Sequence, residues 1–220
     1  MENKQELTIK MDRELVIAAY DKDLSWTSEI NEGVKVTVYR KGDVLPLSKN
    51  EISIEPNVGR CVHTFFYHIY NNYNRLSDIT FFVQEYPFDH VDNIIDIVNN
   101  FSTSEPNMFL KEGYKALYTG KSIPLSKSDY FQCGTFKEPS FPAAGEIHKH
   151  WEYLFKGDHL EYYEFVPAGH FMATRSKIKE RSREFYGELV NLLEVGNSHI
   201  PHVIERFELY IFDSKFKTYK

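Results

Sequence analysis

The chain has 220 residues, of which 42% are hydrophobic and 15% aromatic, and its 26 basic and 32 acidic side chains give a formal charge of −6. With 17 Phe and 15 Tyr it is not a globally disordered chain, and its acidic balance leaves no sequence-wide basic footprint for nucleic acid. No apolar run approaches the roughly 18 residues of a spanning helix, and Cys61 and Cys133 are too few for a disulfide framework. The opening Met1-Glu-Asn-Lys-Gln-Glu-Leu7 lacks the basic-then-apolar pattern of a secretory signal, so the expected location is the cytoplasm.

Residues 1–13 are polar. Glu14-Leu-Val-Ile-Ala-Ala-Tyr20 then reads as a buried strand ended by Asp21-Lys22-Asp23, and Val34-Lys-Val-Thr-Val-Tyr39 as a half-buried one stopping at Lys41-Gly42. Between Asn57 and Asn74 the period changes: Val62, Phe65, Phe66, Ile69, Tyr70 and Tyr73 make one apolar helical stripe. Its start follows Pro56, with Asn57 or Gly59 as the cap. Ile79-Thr-Phe-Phe-Val83 is a continuous apolar strand, and beyond Tyr86-Pro87 the positions Val91, Ile94, Ile95 and Val98 mark another helix. This β-β-α-β-α order predicts an α/β fold with a mainly parallel sheet covered by helices.

Residues 102–144, rich in Ser, Gly, Pro and Lys, read as long loops. A short helix is expected at 145–157 around Trp151, strands at Tyr162–Val166 and Phe171–Thr174, and helices at Ser176–Glu194 and Pro201–Phe212. The chain is read as a single domain over 1–220, with a ligand-binding half at 14–101 and a second half at 102–214.

In open α/β sheets the ligand lies beyond the carboxyl ends of the strands. That rule selects Tyr20-Asp21-Lys22-Asp23, Gln84-Glu85-Tyr86 and Pro87-Phe88-Asp89-His90, joined by the helix start Asn57-Val58-Gly59-Arg60. Free backbone N–H groups, the helix dipole and an Arg side chain suit a phosphate or diphosphate. The alternative for the same four residues is an ordinary helix start. Glu85, Asp89 and His90 offer oxygen and nitrogen ligands of the kind that hold Mg²⁺ or Mn²⁺ beside a substrate phosphate. Asp89 serves equally as a cap for the helix that follows.

His148 and His150, with Glu146 and Glu152 nearby, form either a metal patch or, more in keeping with their spacing, a solvated cluster. Glu205 is a candidate base for an acceptor hydroxyl, or else a surface partner of Arg206. Cys61 falls on the flank of the helix stripe, where a small buried residue is expected. There is no Gly-x-Ser-x-Gly elbow, phosphate-loop signature or Gly-x-Gly-x-x-Gly fingerprint, which disfavours serine hydrolases, kinases and nicotinamide enzymes.

The order Leu15-Val-Ile-Ala-Ala-Tyr20-Asp21, Leu24-Ser25-Trp26, Val38-Tyr39-Arg40-Lys41-Gly42, Asn57-Val-Gly-Arg60 and Phe82-Val-Gln84-Glu-Tyr-Pro87-Phe-Asp89-His90 resembles a family of uncharacterised proteins. That family is distantly similar to GT-A-fold glycosyltransferases that use nucleotide sugars. Gly169-His170-Phe171-Met-Ala-Thr174-Arg175 and Ile204-Glu205-Arg206-Phe207 extend the resemblance into the second half. It implies a GT-A-like (Rossmann-like) sheet with a loop-rich acceptor half. It also implies a nucleotide-diphosphate sugar as donor and a glycan or lipid-linked acceptor, with peripheral membrane association suiting the latter.

By position, the resemblance assigns nucleotide-sugar contacts to Tyr20, Asp21, Asn57, Gly59, Arg60, Gln84 and Arg175. It assigns catalysis to Asp89 and Glu205, and a Mn²⁺ or Mg²⁺ ion to Glu85, Asp89 and His90. Gln84-Glu85-Tyr86 stands where those enzymes carry Asp-x-Asp, and both aspartates are missing. Glu85 or Asp89 replaces them, or the reaction runs without metal, or the chain is inactive. Trp26, Tyr86 and Trp151 are candidates for stacking on base or sugar. The rival readings are a noncatalytic nucleotide- or carbohydrate-binding module and a metal-dependent phosphate-transfer enzyme.

Overall fold

A computed structural model describes residues 11–41, 51–53, 57–101, 113–117, 123–126, 143–156, 162–165 and 169–212. The first strand, β1 (Arg13–Ala19), carries Leu15, Val16 and Ile17 with no exposed surface, because helices cover both faces of the sheet. It pairs in parallel with β2 (Val34–Arg40) on one side and β4 (Ile79–Gln84) on the other, with Ile17 opposite both Val38 and Val83. A three-residue strand, β3 (Glu51–Ser53), extends the parallel block beyond β2.

On the far side of β4 the direction changes. Strand β8 (Phe171–Thr174) runs antiparallel to β4, and β5 (Tyr114–Ala116) antiparallel to β8, giving the order β3-β2-β1-β4-β8-β5. The sheet is therefore mixed, where the sequence reading has it mainly parallel. The segment read as loops contains β5 and also β6 (Ile123–Ser126), which pairs antiparallel with β7 (Tyr162–Phe165) in a separate two-stranded sheet.

Alternation along the strands divides the interior in two. Val16, Phe82, Phe171 and Ala173 face the helices α1 (Arg60–Asn72), α3 (Ala143–Phe155), α5 (Arg183–Val195) and α6 (Ile200–Ile211). The rings of Phe65, Phe82 and Phe171 sit between 4.6 and 5.7 Å apart at this layer's centre. Leu15, Ile17, Phe81, Val83 and Met172 face the other way, toward Trp26, Val91 and helix α2 (Ile94–Asn100).

The helix expected at Ser176–Glu194 is two helices, α4 (Arg175–Ile178) and α5, because Ser182 turns the chain and accepts a hydrogen bond from the Phe185 amide. Among the described residues, no helix is long and apolar enough to cross a membrane.

Candidate functional site

The strand order reverses between β1 and β4: β2 and β3 lie on one side of β1, and β4 on the other. At such a switch point the loops leaving the two central strands diverge and open a crevice. A cavity of about 360 Å³ occupies that place. The exit of β1 lines it with Ala18, Ala19 and Tyr20, that of β2 with Lys41, and that of β4 with Gln84 and Glu85. Asn57 and the first turn of α1 (Arg60, Cys61 and Thr64) close it.

Of the residues expected to hold a nucleotide sugar, Tyr20, Asn57, Arg60 and Gln84 thus converge on one cavity. Gly59 is the residue capping α1, in a left-handed conformation (φ 68°), and no side chain caps the helix. Asp21 lies next to Tyr20 in the exposed turn after β1. Arg175 does not join them. It starts α4 at the amino end of β4, the opposite end of the sheet from the cavity, paired with Asp78 at 2.7 Å, one residue before β4 begins.

Glu85 has a structural partnership. Its Oε2 accepts from the backbone N–H groups of Tyr20 (2.6 Å) and Lys22 (2.9 Å), and its carbonyl accepts from the Trp26 indole (2.9 Å). The loops after β1 and β4 are tied together by this one residue. Glu85→Ala should therefore speed hydrogen exchange at the Tyr20 and Lys22 amides by about ten- to hundredfold, the loss expected for bonds to a charged acceptor. Unchanged exchange at both amides would show that the carboxylate does not hold the turn.

Asp89 is exposed in a single 3-10 turn (Pro87–Asp89), and the residue capping α2 is Asn93 rather than Asp89. His90 faces the ring of His170 at 5.6 Å. Glu85, Asp89 and His90 do not assemble into a metal site, and among the described residues no group of three His, Cys, Asp or Glu does so. With Glu85 committed to two amides, these donors do not fit Mn²⁺ or Mg²⁺.

Trp26 and Trp151 are buried, the latter against Phe155, Phe207 and Tyr210, so neither offers a face to a ligand. Tyr20 and Tyr86 are the exposed aromatics near the cavity, at 49% and 50%. His150 is buried and bonded to Glu146 one helical turn away (2.9 Å), in place of the solvated cluster expected there. The side chain of His148, and Cys133 altogether, lie outside the described residues.

Glu205 sits beside the entrance of α1. Its carboxylate is 3.9 Å from His202, whose other ring nitrogen is 2.9 Å from the Arg60 guanidinium. Burial, together with Arg60, Arg206 and His199, lowers the His202 pKa to about 4, so at neutral pH the ring is uncharged and accepts from Arg60. Cys61 lies on the helix flank as expected. Burial, reinforced by Glu205 and Glu208, pushes its thiol up to about 12, which makes it a poor nucleophile.

The sequence reading missed Lys41, Thr64 and Glu208. Lys41 is 4% exposed, and its Nζ donates to the carbonyls of Val58 (2.5 Å) and Arg60 (2.8 Å). Burial lowers its pKa to about 8. A Lys closing a polar-ended strand reads as solvated in sequence, and only the docking of α1 buries it. Glu208, on α6, is buried with Oε1 lacking a partner, and burial followed by nearby Glu205 holds its carboxyl protonated well above the usual range. Glu208 Oε1 and Cys61 Sγ border the same small gap at Gly169.

This architecture is an α/β fold with a ligand-sized crevice at its switch point. The chain belongs to the family described as Protein of unknown function (DUF3431), whose model matches residues 15–218. No curated protein and no solved structure matches it.

Proposed function

We propose that this protein is a nucleotide-sugar-dependent glycosyltransferase of the GT-A type, moving a sugar from a nucleotide-diphosphate donor to a glycan or lipid-linked acceptor. The observation that carries the reading is the switch-point cavity, walled on one side by the start of α1 with Arg60 and Lys41. Glycosyl transfer builds negative charge on the departing diphosphate and positive character at the anomeric carbon. Helix amides and fixed cations stabilise the first as it develops. Glu205, whose carboxylate lies 3.9 Å from the His202 ring that bonds Arg60, is the candidate for removing the acceptor proton, with exposed Asp89 as the alternative. Tyr20 and Tyr86 supply exposed rings for the base or a sugar. Because Glu85, Asp89 and His90 do not fit a metal, no step is routed through one.

The test is thermal unfolding against UDP-, GDP-, CMP- and dTDP-sugars, each with and without Mn²⁺, followed by product analysis. A donor at about 100 times its Kd adds roughly 2.7 kcal/mol, which in a chain of this size raises Tm by about 5 to 11 °C. Arg60→Ala should abolish most of that shift while leaving the ligand-free Tm within about 1 °C, since Arg60 is exposed. No shift with any donor, or an equal shift in the variant, would remove the donor site from this cavity. A second reading, a binding module without turnover, is favoured by the engagement of Glu85 with two amides where a metal signature is expected. Binding without transferred sugar selects it.

A further inference from the structure

The wall between β2 and α1 carries more positive charge and donor capacity than its own hydrogen bonds use. A lysine ammonium has three N–H donors. Two of Lys41's are taken by the Val58 and Arg60 carbonyls, which leaves one for the cavity that Lys41 lines. Among the described residues no ion pair joins Lys41 to a carboxylate. Arg60, on the same wall, bonds through one guanidinium nitrogen to neutral His202. Thr64, one turn further along α1, also lines the cavity. It is completely buried, and its hydroxyl has no hydrogen-bond partner. A buried hydroxyl without a protein partner that also lines a cavity is free to bond a ligand there. Gly59 and Arg60 both take positive φ (68° and 55°), and the Lys41 clamp holds this irregular entry in place.

We propose that this wall is a diphosphate site that works without a divalent cation, with Lys41, Arg60, the first amides of α1 and the Thr64 hydroxyl doing the neutralising that a metal does elsewhere. The choice of a diphosphate rests on the transferase reading. The anion site itself does not. The groups around Lys41 are Arg60, Cys61 and His63 on α1, Glu194 on α5 and Glu85 across the cavity. Its ammonium titrates at about 8, lowered by burial against the opposing pull of Cys61 and Glu194. Anion affinity should accordingly fall between pH 7 and pH 9. Pyrophosphate gains negative charge over that interval, so a loss can only come from the protein.

The experiment is calorimetric titration with inorganic pyrophosphate in excess EDTA. Wild type should bind at pH 7 and bind several-fold more weakly at pH 9. Arg60→Ala and Lys41→Met should each weaken binding at pH 7 by about tenfold or more, and Thr64→Val by about fivefold, as expected for lost bonds to a charged ligand. Lys41→Met also removes the clamp on α1, so Arg60→Ala and the near-isosteric Thr64→Val decide the matter if it does not fold. Binding that appears only with Mn²⁺, or affinities unchanged in Arg60→Ala and Thr64→Val, would overturn the proposal. Metal-free pyrophosphate binding with no sugar transfer from any donor would remove the transferase reading and leave the anion site standing. Mn²⁺-dependent transfer without metal-free binding would do the reverse.

Discussion

Gly59→Ala is expected to destabilise the protein by about 3 kcal/mol, seen as a Tm lower by roughly 6 to 12 °C. Two costs combine. Gly59 has φ 68°, a conformation that costs an L-residue about 1–2 kcal/mol. In addition, a Cβ there would stand 2.5 Å from the Cβ of His63 and 3.0 Å from that of Leu193. Neither neighbour is the far end of a flexible side chain: His63 belongs to α1 itself and Leu193 to α5, which packs along it. Relief therefore requires reshaping the entry of α1 away from His63 and shifting it from Leu193 on α5, with the cavity wall carried along. Gly33→Ala is the control, since a Cβ there meets nothing within 4 Å and its φ is ordinary, so its cost should stay within about 0.5 kcal/mol. Equal unfolding midpoints for the two variants would show that the entry of α1 is not held in this conformation.

That same corner shows what a sequence can and cannot disclose. Strand β1, helix α1 and strand β4 are legible because each is long enough to display its period and each is buried by its own apolar residues. Strand β5, Tyr114-Lys-Ala116, is three residues long and has no period to display. It exists through its register with Phe171 and Ala173, more than fifty positions away. The division between α4 and α5 did leave a local signal, Ser182 ahead of Glu184, but the apolar spacing through Ile178 and Phe185 conceals it.

The cavity divides in the same way. Tyr20, Gln84, Asn57 and Arg60 could be placed because strand ends and helix starts are local features, and the switch-point rule brings them together. Arg175 escapes that rule because the direction of β8 is a property of pairing, and antiparallel pairing carries its C-terminal end to the amino end of β4, away from the cavity. Lys41 and Glu208 are buried only by tertiary docking, and charged residues are read as solvated until that docking is known.

Glu208→Gln is expected to make the protein more stable at neutral pH, the opposite of the usual effect of altering a buried residue. The folded protein keeps a proton on Glu208 because burial, and then the charge of Glu205, disfavours the carboxylate. The unfolded chain releases that proton at the ordinary carboxyl pKa, near pH 4.3. Below this value both states are protonated and the contribution of Glu208 is fully present. Above it the unfolded state binds fewer protons, so stability falls by about 1.4 kcal/mol per pH unit until the raised folded value is reached.

Glutamine has the same shape and never ionises, which removes that loss. Its amide brings donors to a position where Oε1 already lacks a partner, and this cancels part of the gain. The net expectation is a variant less stable than wild type at pH 4.5, where only the cost of the amide remains, that gains on wild type as the pH rises and overtakes it by pH 7.5, read from urea midpoints at the two values. A variant less stable than wild type by the same margin at both would mean that Glu208 is an ionised residue with a partner. The proton also matters to the cavity. Glu208 and Cys61 border the same gap, and Cys61 lines the wall that holds Lys41 and Arg60. A carboxylate at 208 would set negative charge behind the cations that an anionic ligand needs, and keeping it protonated leaves their field intact.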